Sequence, residues 1–306
     1  MKIVFMGTPD FAVPCLTALC EAGHTVSAVF TQPDKPKGRG YVLTPPPVKV
    51  AATAREIPVY QPETLRDGEA LRILTELAPD AIVVVAYGKL LPKELLELPK
   101  YGCINVHASL LPRHRGASPI QWAIVCGDKV SGVSTMQMDV GMDTGDILQM
   151  AQTPIGPDET GEQLHDRLSE MGARLIVSTL QGLQDGSVTP TPQPEEGVTK
   201  APIIKKEMGK LDFTASAQQL HNLVRGFDPW PAAYLLLDGK RMKVYKTAVL
   251  ERSGTAGCVL EASDRLIVAC GEGALELCEV QLEGAKRMSA QRMLMGHPIR
   301  VGTSLL

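Results

Sequence analysis

Residues 81–86 read Ala-Ile-Val-Val-Val-Ala, an apolar, mostly β-branched run with no polar position within it. A strand with one wet face alternates apolar and polar side chains. An unbroken run is a strand covered on both faces, the mark of a parallel sheet between layers of helices. The surrounding chain supplies such helices. Residues 2–6 form a short apolar run, followed by the turn Gly7-Thr8-Pro9-Asp10 and an apolar-periodic segment, 11–20, that stops at Gly23. Residues 25–30 then make a second strand, so the chain opens with a β-α-β unit. Further strands are expected at 103–107, 133–138 and 147–151, with helices at 119–125 and 161–183. This alternation predicts a Rossmann-like, doubly wound, mostly parallel α/β sheet.

The pattern breaks at Asp185. Residues 185–201 carry Pro190, Pro192 and Pro194 among Thr, Gln and Glu, with little to bury, and read as an extended linker. Beyond it come a short helix, 216–225, and five short strands at 233–238, 241–249, 256–262, 265–270 and 274–282. Asp238-Gly239 and Gly271-Glu272-Gly273 serve as turns. That spacing predicts a small barrel of the oligonucleotide-binding (OB) type. The expected division is a catalytic domain at 1–188, a linker at 189–207 and a barrel at 208–306. A chain of 306 residues with 44% apolar and 21% charged residues is a natural size and composition for two globular domains. It has no apolar run of the ~20 residues needed to span a bilayer, and the N-terminal strand is too short for a signal peptide, so a cytoplasmic protein is expected.

Asn105 and His107 lie two residues apart in a predicted strand and therefore share a face. One offers an amide that can hydrogen-bond an oxyanion, the other an imidazole that can move a proton. Ser109-Leu110-Leu111-Pro112 ends the strand. Downstream, residues 139–146 read Asp-Val-Gly-Met-Asp-Thr-Gly-Asp. The spacing fails as a calcium loop, which needs oxygen ligands at alternate positions and a late Glu. Asp143, between the two glycines, reads as a carboxylate orienting His107. The turn at Gly7 lacks the second and third glycines of a dinucleotide fingerprint, which argues against dinucleotide binding. Seven scattered cysteines without a CxxC pair argue against a disulfide framework and a structural zinc site. Cys103 has no base placed beside it.

Basic residues gather in two places. The long segment 32–50 carries Lys35, Lys37, Arg39 and Lys49 at the carboxyl edge of the expected sheet, and suits a mobile loop gripping phosphates. Lys240, Arg241, Lys243 and Lys246 surround one hairpin of the expected barrel, with Lys286, Arg287, Arg292 and Arg300 further on. The chain from Met208 has net charge +2, the part before it −5, within an overall −3. A polyanion partner for the second domain is consistent with that asymmetry. An edge strand guarded by charge would look the same.

Asn105-Val106-His107-Ala108-Ser109-Leu110-Leu111-Pro112-Arg113-His114-Arg115-Gly116, with Asp143-Thr144-Gly145-Asp146 downstream, resembles the signature of formyltransferases that use 10-formyltetrahydrofolate. Ala108 and His114 depart from it, standing where the family usually has Gly and often has Trp or Tyr. The opening Gly7-Thr8-Pro9-Asp10-Phe11, the segment from Thr31 through Gly40 and the run Phe227-Asp228-Pro229-Trp230-Pro231 narrow the likeness to members acting on methionyl initiator tRNA. The resemblance covers essentially the whole chain. It implies Asn105, His107 and Asp143 as the catalytic trio and Ser109, Leu110, Leu111 and Pro112 as the folate contacts. Arg39, with Lys35 and Lys37, would meet the tRNA, and Lys240, Arg241 and Lys243 would contact it from the barrel. It implies a monomer with no metal, acting in translation initiation. An aminosugar nucleotide or another small amine is the alternative formyl acceptor, against which the basic segment 32–50 speaks. A formyl-folate hydrolase and an RNA-binding module on a spent enzyme scaffold are weaker alternatives.

Overall fold

The chain opens with β1 (Lys2–Gly7), α1 (Val13–Glu21) and β2 (Thr25–Phe30), and a computed structural model describes residues 1–37 and 42–305. Pro14 in the first turn of α1 costs no hydrogen bond there. Then follow β3 (Lys35–Lys37), β4 (Val42–Thr44), α2 (Pro47–Thr53), β5 (Val59–Tyr60), α3 (Glu69–Leu77), β6 (Ala81–Val85), α4 (Lys93–Leu96) and β7 (Cys103–His107). After α5 (Pro119–Val125) come β8 (Val130–Gln137), β9 (Ile147–Pro154) and the 25-residue α6 (Gly161–Asp185). Seven strands form one sheet in the order β5-β2-β1-β6-β7-β8-β9. The first five in that order are parallel neighbours, and β8 joins β7 antiparallel. The doubly wound reading therefore holds, with the direction reversed at β8.

Every residue of β6 is buried, as its β-branched run requires. Val4, Met6, Phe30, Leu74, Ile82, Val84 and Tyr87 pack one core of this sheet. The chain runs outward from β1 to β5, returns, and runs out the other way through β6 and β7. That reversal is a topological switch point, and the crevice beyond the carboxyl ends of such strands is where open α/β sheets bind ligands.

The segment 32–50 holds more structure than the expected loop. β3 pairs antiparallel with β4, and α2 starts at Pro47, where proline's missing N–H is harmless, and buries Val48 and Ala52. The proline run at 45–47 conceals that helix start from a sequence reading. Arg39 lies outside the described residues.

The second unit continues with α7 (Ala217–Gly226), β10 (Ala233–Leu237), β11 (Lys240–Leu250), β12 (Val259–Ala262), β13 (Leu266–Ala269), β14 (Ala274–Leu282), β15 (Met288–Ser289) and α8 (Ala290–Gly296). Ser216 and Gln219 cap α7 reciprocally. The strands pair antiparallel in the order β10-β11-β14-β13-β12, with β15 on β14. Register shifts in β11 and β12 bend the sheet around a core that includes Phe213, Leu235, Met242, Val244, Leu275 and Leu277. The domain is antiparallel and strand-rich, as the turn spacing requires.

Packing divides the chain differently from the linear split at 188 and 208. One compact unit comprises Met1–Gly116, Ser131–Thr153 and His165–Ala201; the other takes Ala117–Val130, Pro154–Leu164 and the chain from Pro202 onward. Within the second unit α5 packs on α7, with Ile120, Ala123 and Ile124 buried. Arg225 donates to the carbonyls of Gly156 and Glu159 at 3.1 and 3.0 Å. These bonds tie 154–164 to the helix that carries Arg225.

Candidate active site

β7 sets the site. Asn105 lies opposite Val84 of β6 and Met136 of β8, and His107 opposite Ser134. A slip of one residue would turn both side chains to the other face, so pairing on both edges fixes which way they point. Asn105 is half-buried and His107 buried.

Nε2 of His107 lies 3.0 Å from the main-chain oxygen of His114. A carbonyl only accepts, so Nε2 carries the proton. Nδ1 then faces Asp143 Oδ1 at 3.7 Å. The ring is oriented by a backbone oxygen rather than by the carboxylate, and Nδ1 is left as the atom that can take and release a proton. Asp143 Oδ1 also meets Asn105 Nδ2 at 3.4 Å, while Oδ2 accepts from the Gly116 amide at 2.8 Å. The structure thus brings Asn105, His107 and Asp143 together in one corner of the first unit.

The acidic loop sorts its carboxylates. Asp139 accepts from Thr144 Oγ1 and the Gly141 amide at 2.8 and 3.0 Å, bracing the loop. Asp143 sits at φ +54°, in the left-handed region that Asp tolerates better than most residues. Gly145 is pressed against β8: a Cβ there would stand 1.8 Å from the Gln137 oxygen.

After β7 the chain turns through Ser109-Leu110-Leu111-Pro112, with a cis Leu111–Pro112 bond. Ser109 Oγ donates to the Arg113 oxygen at 2.6 Å, and Ser134 Oγ donates to the Ser109 oxygen at 2.7 Å and accepts from the Leu111 amide at 3.1 Å. Ser109 and Leu111 are buried, Leu110 and Pro112 half-exposed. The first pair shapes the turn; the second pair is what the turn presents outward.

Cys103 is fully buried, and its Sγ lies 3.4 Å from the Leu95 oxygen. Burial pushes its thiol up to about 12, which leaves no thiolate at neutral pH to act as a nucleophile.

The basic residues fall in separate places. Lys35 is exposed and Lys37 lies on the same strand, β3. Lys49 is not free for phosphate: its Nζ donates to both Asp34 oxygens at 2.9 and 2.8 Å and to Gln61 Oε1 at 2.8 Å. On β11, Arg241 and Lys243 are exposed while Met242 and Val244 face the core, and Lys240 is exposed beside them. The Arg241 guanidinium stacks over Tyr234 at 4.3 Å.

The proline-rich segment brings a group the sequence reading missed. Gln193 Nε2 donates to the oxygens of Asp143 and Gly145 at 2.9 and 2.7 Å, and its Oε1 accepts from Arg115. Thr199 Oγ1 accepts from the His114 amide at 2.8 Å. Residues 191–201 are thus extended but fastened to the first unit, not a free linker.

Residues 1–180 match the formyl transferase family, and residues 203–298 match the formyl transferase C-terminal domain. The sequence is 52% identical over 306 residues to a methionyl-tRNA formyltransferase of Geobacter metallireducens, covering all of this chain and 98% of that one. An N-formyltransferase from Helicobacter canadensis, in complex with folinic acid and dTDP-3-aminofucose, shares the fold. Its TM-score is 0.69 at 18% identity, over 94% of this chain and all of that one. HypX from Aquifex aeolicus, in complex with tetrahydrofolic acid, matches over 96% of this chain with a TM-score of 0.62 at 18% identity. The chain spans about half of that protein, 47% of its length.

Proposed function

The chain belongs to the formyl transferase family, both of whose domain types it carries, and on that premise we propose that it transfers a formyl group from 10-formyltetrahydrofolate to the α-amino group of methionyl initiator tRNA. The observation that carries this reading is the convergence of Asn105 Nδ2, His107 Nδ1 and the Asp143 carboxylate, in a chain half identical over its full length to a methionyl-tRNA formyltransferase.

The amine must be neutral to attack the formyl carbon. An α-amino group titrates at about 7.7–8.0, and an ester neighbour lowers that further, so little base strength is needed. Attack forms a C–N bond and a tetrahedral oxyanion. The Asn105 amide donates to that oxygen. His107 Nδ1 accepts the proton lost by the attacking nitrogen and passes it to the departing folate nitrogen as the old C–N bond breaks. With Nε2–H held by the His114 oxygen, the charge that appears on the imidazole faces Asp143, which stabilises it. Leu110 and Pro112 line the folate side, with Ser109 and Leu111 holding their turn. Lys35, Lys37 and Arg39 meet the RNA from the first domain, and Lys240, Arg241 and Lys243 from the second.

The proposal includes catalysis in the first compact unit, RNA contacts from both units, and a monomer working in the cytosol. Among the described residues no helix is long and apolar enough to cross a membrane. The test is an assay of formyl-folate against charged initiator tRNA, charged elongator tRNA and an aminosugar nucleotide. Formylation confined to the charged initiator supports the reading; turnover of the nucleotide sugar with none of the RNA overturns it.

A further inference from the structure

Residues 191–200 are exposed except for Gln193 and Thr199, which are half-buried. Those two side chains point back at the site. Gln193 holds the main-chain oxygens on either side of Thr144, at Asp143 and Gly145, and so clamps the residue whose carboxylate faces His107. Its other end is fixed by Arg115 Nε and Nη2 at 2.9 and 2.7 Å. Thr199 Oγ1 takes the amide of His114, the residue whose own oxygen fixes Nε2–H of His107. Backbone bonds lay the segment in place: Thr191 and Ile147 exchange two, at 2.8 and 2.9 Å, the Arg115 amide donates to the Thr199 oxygen at 2.9 Å, and the Ala201 amide to the Arg115 oxygen at 2.8 Å.

We infer that residues 191–201 form a strap belonging to the catalytic machinery, in which Gln193 and Thr199 are positioning residues: Gln193 for the Asp143 carboxylate, Thr199, through His114, for the His107 imidazole. His114 and Asp143 both lie at positive φ, 57° and 54°. Residues other than glycine leave that region unless their surroundings hold them there, and in each case the strap supplies a hydrogen bond to the residue's own backbone. A side chain displaced by even 1 Å from its reacting geometry can lose on the order of a hundredfold in rate, so the strap acts on kcat without touching substrate.

This inference rests on the formyl-transfer reading for its kinetic test, though not for its spectroscopic one. Thr199→Val removes the acceptor at constant shape, and Thr199→Ser restores it. Gln193→Glu removes both donors to the Asp143 loop and keeps an acceptor for Arg115. In the full-length protein, Thr199→Val and Gln193→Glu are expected to lower kcat on the order of ten- to a hundredfold, with KM for both substrates and the thermal midpoint little changed. Thr199→Ser should return kcat to within about threefold of wild type. The kcat–pH profile should move in Thr199→Val and not in Thr199→Ser. Nitrogen-15 imidazole spectra, taken without substrate, should show His107 as the Nε2–H tautomer in wild type and as a tautomer mixture in Thr199→Val. Wild-type kcat in Thr199→Val and Gln193→Glu, or an unchanged His107 spectrum in Thr199→Val, overturns the inference. A wild-type chain that forms no formyl-methionyl-tRNA overturns the functional reading instead, and the spectrum still decides this one.

Discussion

His107 donates its Nε2–H to the main-chain oxygen of His114, seven residues on in the same connection, at 3.0 Å. That bond decides which ring nitrogen is open for the proposed proton transfer. It leaves Nδ1 facing Asp143 Oδ1, which also meets the Asn105 amide.

Asn105 and His107 therefore make separable contributions. Asn105→Ala and His107→Ala should each reduce formyl transfer by about 10²–10³-fold, the usual loss of one oxyanion donor or one acid–base group. Asn105→Asp should be at least as damaging as Asn105→Ala, because it sets a second carboxylate close to Asp143, where Asn105 Nδ2 now lies 3.4 Å away. Steady-state kinetics with separately measured tRNA affinity checks this: affinity should hold while kcat falls.

Gly116 gives its amide to Asp143 and leaves no space for a side chain. Its φ is +127°, and a Cβ would stand 2.6 Å from the Ala201 oxygen. Gly116→Ala should cost roughly 1–3 kcal/mol of stability from backbone strain and lower kcat by displacing Asp143. Thermal unfolding alongside turnover measures both effects.

Cys103 should be inert. Its thiol is buried and raised to about 12. Iodoacetamide at neutral pH should label the exposed Cys126 and leave Cys103 unmodified in the folded protein, as read by peptide mass spectrometry. Cys103→Ala should retain near wild-type kcat despite sharing a strand with Asn105 and His107.

Lys49 and Lys243 should behave differently towards salt. Each lysine that neutralises a nucleic-acid phosphate contributes about −0.7 to −0.9 to the slope of log affinity against log salt. Lys243→Ala should flatten the slope for tRNA binding by about that amount. Lys49→Ala should leave it nearly unchanged, since Lys49 is engaged by Asp34 and Gln61. Affinity measured across a salt series separates the two.

Hydrogen bonds from Lys49, then Gln61, hold the Asp34 carboxyl below the usual carboxylate range. A depressed folded value means the anchor stabilises the native state above the ordinary carboxylate range, about 3.9 for Asp, and is lost as pH falls through the folded value. Asp34→Asn should thus be less stable than wild type at pH 7, with the gap closing below about pH 4. Denaturant titrations at both pH values read the sign.

Much of the site was legible because its signals are local. The strand period alone put Asn105 and His107 on one face, and the glycines around Asp143 marked a tight loop. What escaped depended on contacts between distant parts of the chain. Gln193 lies among prolines and exposed polar residues, where nothing in the sequence separates a docked glutamine from a solvated one. Lys49 looked like a phosphate ligand because its partner Asp34 is fifteen residues away and only the fold brings them together. The barrel strands were clear from their turns. The grouping of 117–130 and 154–164 with the second unit was not, since it rests on α5 meeting α7 rather than on any change in composition.

That grouping bears on how such a protein can change over generations. Ile120, Ala123 and Ile124 of α5 are covered by a unit whose main body begins only at Pro202. A recombination joint placed in the proline-rich stretch would part α5 from α7 and bare the face that carries Ile120, Ala123 and Ile124. An exchange that keeps this packing has to carry 117–130 and 154–164 along with the chain from Pro202.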